Sequence, residues 1–232
     1  MKKFGLVGGI GPASTAIYYQ SIIDAFRKRL NTEDYPDFII RSINMNRMLR
    51  YVVDNDLDGL TEFLLEHIDH LTDCGVEFSA LASNTPHIVF DRLAERSGIQ
   101  LLSIVGETCK AIASKSLTKV GLFGTKSTME AGFYHRAAEK LNVNIVTPNS
   151  VQMDFIHNKY FEELVANKIN QATRDALIQI AHHMKESSGI QGLVLGGTEL
   201  SLILSQSDFH DIELFDTTQI HVSAIVREMI KE

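Results

Sequence analysis

The sequence predicts an α/β protein of two similar lobes, each a mostly parallel sheet flanked by helices and related to the other by pseudo-twofold symmetry. Three observations carry this. Short apolar bursts alternate with amphipathic stretches along all 232 residues, the pattern of strand–helix units. Lys119-Val120-Gly121-Leu122-Phe123-Gly124 mirrors Lys3-Phe4-Gly5-Leu6-Val7-Gly8, and Gly192–Thr198 mirrors Phe78–Asn84. The two offsets, about 116 and 114 residues, agree on one period, as a duplicated βαβ-type unit requires. The boundaries expected are 1–98 plus 211–232 for the first lobe and 99–210 for the second.

The elements follow in order. Phe4–Val7 is the first strand, running into the turn Gly8-Gly9-Ile10-Gly11-Pro12. Ser14 or Thr15 is positioned to cap a helix reaching about Leu30. Phe38–Ser42 is a second strand. Leu57–Cys74 is a long helix, with Leu60, Leu64, Ile68 and Leu71 near helical spacing. Phe78–Ala82 is the third strand, and Ile88–Arg96 the next helix. Near the C-terminus, Glu213–Phe215 is strand-like, and the helix Thr218–Lys231 is expected to pack back onto the first lobe.

Composition narrows the function classes. Hydrophobic residues make up 44% and charged residues 22%, enough for a full core without disulfides. The net charge of −7 and the scattered Lys and Arg argue against a phosphate-tracking, nucleic-acid-binding surface. An anionic substrate therefore needs a local cationic pocket. With two cysteines, Cys74 and Cys109, a disulfide framework is not expected and a reducing cytoplasm is. No apolar stretch approaches the roughly 18 residues that span a bilayer, and Met1–Val7 runs into glycines as a strand rather than a signal peptide.

The chemistry-bearing residues gather after strands, where α/β proteins place their ligands. The glycine turn at Gly8–Gly11 exposes backbone N–H groups at a helix start, a site for carboxylate or phosphate or else simply a tight turn. It lacks the dinucleotide fingerprint, and no Gly-Lys-Ser/Thr run marks a nucleoside triphosphatase. Asn84, Thr85 and Thr198 each sit just past a strand end, suited either to a small polar ligand or to helix capping. Of the nine histidines, His67 with His70 and His182 with His183 lack a third ligand at metal spacing, so no metal is expected. His87 follows Ser83 closely enough to act as its base, although no acid partner completes a triad.

Gly-Gly-Ile-Gly-Pro with Ser14-Thr15, Ser83-Asn84-Thr85-Pro86-His87, Gly124-Thr125 and Leu195-Gly196-Gly197-Thr198-Glu199-Leu200 occur in order over nearly the whole length. In these segments the chain resembles the aspartate/glutamate racemase family of cofactor-independent amino-acid racemases. The resemblance implies two α/β lobes with the site between them, no cofactor, a homodimer, and an acidic amino acid as the small-molecule substrate. It also implies a two-base mechanism, in which one thiolate removes the α-proton and an opposing thiol delivers another. Carried over by position, the catalytic cysteines fall on Ser83 and Gly197. A serine hydroxyl needs an adjacent base, and glycine offers no side chain. A water held by Ser83 and Thr198, or a carboxylate such as Glu199, would have to replace the thiols. The substrate-binding set implied is Gly9, Arg47, Asn84, Thr85, Thr125, Lys159 and Thr198, with Arg47 and Lys159 holding the side-chain carboxylate. A ligand-binding pseudoenzyme, and an isomerase or lyase of a small dicarboxylate, stand as the alternatives.

Overall fold

A computed structural model describes residues 1–231. The chain divides into two compact units, Met1–Ile104 with Thr218–Glu232, and Val105–Thr217.

The first unit is built on a four-stranded, all-parallel sheet. Its strands are β1 (Phe4–Gly8), β2 (Phe38–Ser42), β3 (Phe78–Leu81) and β4 (Gln100–Leu102), in the order β2-β1-β3-β4. The central strands β1 and β3 are buried throughout, as expected of parallel strands covered on both faces. Their period-2 alternation divides the core. Phe4, Leu6, Phe78 and Ala80 face α1 (Pro12–Leu30) and the C-terminal helix Thr217–Met229, packing on Tyr18, Ile22, Phe26, Val222 and Ile225. Val7 and Leu81 face the opposite layer, with α2 (Met45–Val53), α3 (Leu57–Asp73) and α4 (Phe90–Arg96) supplying Met48, Leu60, Leu64, Ile68 and Leu93. Each of these buried aliphatic side chains contributes about 1.5–3 kcal/mol. The C-terminal helix is thus part of this unit, through Val222, Ile225 and Met229.

The second unit repeats the plan. Its strands are β5 (Lys119–Gly124), β6 (Asn144–Val146), β7 (Gly192–Gly196) and β8 (Glu213–Asp216), again all parallel, in the order β6-β5-β7-β8. Adding four to every strand number turns the first sheet order into the second. The helices are α5 (Ile104–Ser114), α6 (Lys126–Glu130), α7 (Phe133–Glu139), α8 (Ser150–Lys159) and α9 (Gln171–Ser188), and α10 is Thr217–Met229 of the first unit's core. Gly5 and Gly121 occupy matching places. A Cβ on Gly5 would lie 3.0 Å from Leu71 of α3, and one on Gly121 2.9 Å from Ile190 and 3.2 Å from Met184 of α9. In both sheets a missing side chain admits the covering helix.

Two local expectations are corrected. The cap of α1 is Gly11, at φ 86°, with Pro12 opening the helix, where its missing N–H is no loss. Thr15 closes the glycine turn instead: its Oγ1 accepts from the Gly9 N–H at 2.8 Å and donates to the Gly11 carbonyl at 3.1 Å. The helix expected from Ile88 is preceded by a 3-10 turn over Thr85–Val89, opened by Pro86, and becomes α-helical at Phe90. No described helix is long and apolar enough to cross a membrane.

Candidate active site

Adjacent central strands bring the candidate turns together within each unit. Because β1 pairs with β3, the Gly8–Gly11 turn neighbours the Ser83 turn, and the Ala82 N–H donates to the Val7 carbonyl at 2.9 Å. Because β5 pairs with β7, with Gly124 opposite Gly196, the Thr125 turn neighbours the Gly197–Thr198 turn.

Ser83 is 8% exposed, and Asn84, Thr85 and His87 are buried beside it. His87 does not act on the Ser83 hydroxyl. Its Nε2 accepts the Ile104 N–H at 3.3 Å, so the ring proton resides on Nδ1, which donates to the Ser83 carbonyl at 3.0 Å. The ring also stacks on Phe90, with centroids 4.8 Å apart. Burial, reinforced by His221, pushes its pKa down to about 3. His87 is therefore a neutral strut that ties the Ser83 turn to the start of α5.

Gly9 has φ 80°, and a Cβ there would lie 2.4 Å from the Ile43 carbonyl oxygen, so the position accepts only glycine. The fully buried Ser14 hydroxyl, in the first turn of α1, has no hydrogen-bond partner. Arg47 stands in the first turn of α2, which Asn44 caps by accepting the Arg47 N–H at 3.0 Å. Its guanidinium lies over the Phe63 ring, 4.7 Å from the centroid, and the residue is exposed.

In the second unit, Thr125 caps α6, its Oγ1 accepting the Thr128 N–H at 3.2 Å and lying 3.0 Å from the Thr128 hydroxyl. Lys159, the last residue of α8, is half-buried and ion-paired with Glu163 at 2.7 Å. The bond to Glu163 raises the Lys159 pKa and lowers that of Glu163. A ligand carboxylate at Lys159 has to compete with Glu163.

The most developed arrangement surrounds Gly197. Its φ of −130° and ψ of 124° suit any residue, but a Cβ would lie 2.5 Å from Cε2 of Tyr160. The Tyr160 hydroxyl donates to Oε2 of Glu199, and the Thr198 hydroxyl donates to the same oxygen at 2.8 Å. All three residues are buried, Glu199 to 1% exposure. Two hydroxyl donors thus converge on one carboxyl oxygen of Glu199, whose two lone pairs accept both. Burial above all, and then Glu199, push the Tyr160 phenol well above its usual pKa. Sequence reasoning missed Tyr160 because the bond joins residues 39 apart, across a one-turn π-helical bulge at Tyr160–Leu164. Such bulges often mark functional positions.

Neither cysteine lies at a strand-end turn. Cys74 is exposed at the end of α3, and Cys109 is buried in α5 with its thiol pushed up to about 12 by desolvation. Among the described residues, no group of three or more His, Cys, Asp or Glu side chains could hold a metal ion.

Two parallel four-stranded sheets, each ending its central strands in small polar turns, define an α/β protein with polar residues at strand C-termini, the place where such folds bind ligands. The family model for Asp/Glu/hydantoin racemases matches residues 7–225, and the chain belongs to that family. It is similar to a crystal structure from Yersinia pestis with a provisional Asp/Glu racemase assignment, at TM-score 0.91 and 30% identity, covering all of both chains. An aspartate racemase homologue from Pyrococcus horikoshii OT3 superposes at TM-score 0.87 with 32% identity, again over all of both chains. A broad specificity amino-acid racemase of Bacillus subtilis (strain 168) is 25% identical over 189 residues, 80% of this chain and 75% of that protein.

Proposed function

We propose that the chain labilises the α-proton of an acidic amino acid, aspartate or glutamate, without a cofactor, holding it between the Ser83 turn and the Gly197–Thr198 turn. The observation that carries this is the family membership over residues 7–225, joined to matching polar turns at equivalent strand ends. Gly9, Asn84, Thr85, Thr125 and Thr198 then bind the α-carboxylate and amine. The unpartnered Ser14 hydroxyl beside the glycine turn supports an oxygen-rich ligand there. Arg47 and Lys159 are the cations for the side-chain carboxylate, Lys159 on displacement of Glu163. The same reading takes the protein as a cytoplasmic homodimer, which light scattering on the purified protein tests.

Incubation with L- and D-aspartate and glutamate in deuterated water, followed by NMR, tests the chemistry. Loss of the α-proton signal supports it. Binding in calorimetry without exchange favours a ligand-binding pseudoenzyme, the second reading, whose support is that His87 is occupied by backbone groups and Cys109 is buried.

A further inference from the structure

We infer that Tyr160, with Glu199 behind it, is the acid–base pair at the Gly197 turn, taking the place that the resemblance gives to a thiol. The inference rests on the α-proton chemistry proposed above.

The first observation is spatial. The direction in which a side chain would leave Gly197 leads directly into the Tyr160 ring edge, 2.5 Å from the Cβ position. The Tyr160 ring edge thus occupies the volume a cysteine side chain would use, with the hydroxyl-bearing Cζ 3.1 Å from the Cβ position and the hydroxyl itself turned to Glu199. The second is the hydrogen-bond chain. The phenol does not donate to a backbone carbonyl, which would hold its proton fixed, but to a carboxylate that can take it. Thr198, from the same turn, orients that carboxylate through the 2.8 Å bond to Oε2. The third concerns the other turn: His87 does not serve the Ser83 hydroxyl as a base, being committed to Ser83's own carbonyl and to Ile104. Tyr160 is as open as Ser83 and Thr85 at the other turn, and Glu199 lies more deeply buried behind it.

The step balances as a two-proton relay. The substrate Cα–H bond breaks and its proton passes to Tyr160 Oη. The phenolic O–H bond breaks in the same event, and its proton passes to Glu199 Oε2. The electron pair of the broken Cα–H bond delocalises into the substrate α-carboxylate, and the phenol ends neutral. Reversal returns a proton to Cα after the proton on Glu199 has exchanged with solvent. Tyr160 is the catalytic residue, and Glu199 acts through it as the positioning acceptor. Moving the charge onto a carboxylate avoids forming a free phenolate, which its enclosure disfavours.

The test compares wild type with Tyr160→Phe and Glu199→Gln by α-proton exchange of aspartate in deuterated water between pH 6 and 10. Tyr160→Phe keeps the ring against Gly197 and should leave ligand affinity unchanged while slowing exchange at least about 100-fold. Glu199→Gln should suppress exchange near neutrality and let it climb about tenfold per pH unit in the alkaline range, where the phenol ionises unaided. A merely structural glutamate would not produce that slope. Exchange at the wild-type rate in Tyr160→Phe, or a Glu199→Gln profile parallel to wild type, overturns the relay while leaving the α-proton chemistry standing. A wild type inert towards aspartate and glutamate removes both. Should Tyr160→Phe fail to fold, the Glu199→Gln profile decides alone.

Discussion

The edge of the Tyr160 ring lies 2.5 Å from the point where a Cβ on Gly197 would be placed. Atoms this close cannot coexist, and the ring is held by its bond to Glu199 as well as by burial. Substitution at Gly197 is therefore coupled to Tyr160, although the Gly197 backbone conformation is open to any residue.

Gly197→Cys should destabilise the protein by about 1–3 kcal/mol through overpacking. Combining it with Tyr160→Ala should show a coupling of about 1 kcal/mol or more in a double-mutant cycle, measured by urea unfolding. Additive effects would mean that the ring swings aside without strain. A thiol pair at Ser83 and Gly197 consequently requires a smaller residue at 160 as well.

Exchange at Cα should outrun inversion by roughly tenfold or more, because His87 is held by backbone groups and does not serve the Ser83 hydroxyl as a base. Chiral chromatography of the aspartate recovered from deuterated water measures this. Equal rates of exchange and inversion would require an efficient donor on each face.

Acidification should weaken the fold through His87. Its folded pKa of about 3 lies below the unfolded value of about 6.5, so the unfolded chain alone takes up the proton between those limits. The contribution is fully present above pH 6.5 and is lost as pH falls towards 3, by up to about 1.4 kcal/mol per unit. His67, His135 and His157, also lowered by desolvation, act in the same direction. The slope of unfolding free energy against pH should decrease in His87→Gln. An unchanged slope would show that the ring is already protonated in the folded state.

The thiols should separate cleanly. Cys74 is exposed and should react rapidly with a disulfide reagent in the native protein, whereas Cys109, buried and neutral, should react only after unfolding. Alkylation of Cys74 should leave α-proton exchange unchanged. Loss of exchange on that modification would bring Cys74 into the chemistry.

Arg47→Ala should weaken aspartate binding about tenfold in calorimetry, a loss of about 1.4 kcal/mol for one charged hydrogen bond. Lys159→Ala should have a smaller effect, since Glu163 already engages that ammonium. A larger loss at Lys159 than at Arg47 would reverse the assignment.

The strands were legible because apolar, glycine-bearing runs such as Phe4–Gly8 and Lys119–Gly124 are buried on both faces, and their repetition announces a repeated sheet order. Local rules also located the strand-end turns, since these depend on residues adjacent in the chain. What escaped was non-local. Gly11 takes the cap while the Thr15 hydroxyl is engaged by the Gly9 N–H, in a turn packed closely on Ile43. The tautomer of His87 depends on Ile104, which lies 17 residues away. Tyr160 meets Glu199 and Gly197 through contacts 39 and 37 residues apart in the chain, which no local pattern announces.

The crowding of Gly197 also imposes an order on mutational history. The glycine codons GGU and GGC become cysteine codons by one base change, yet that change alone meets an aromatic wall. Descendants of this gene can acquire a thiol at 197 without passing through a weakened intermediate only if position 160 is trimmed beforehand, so that path runs through the tyrosine.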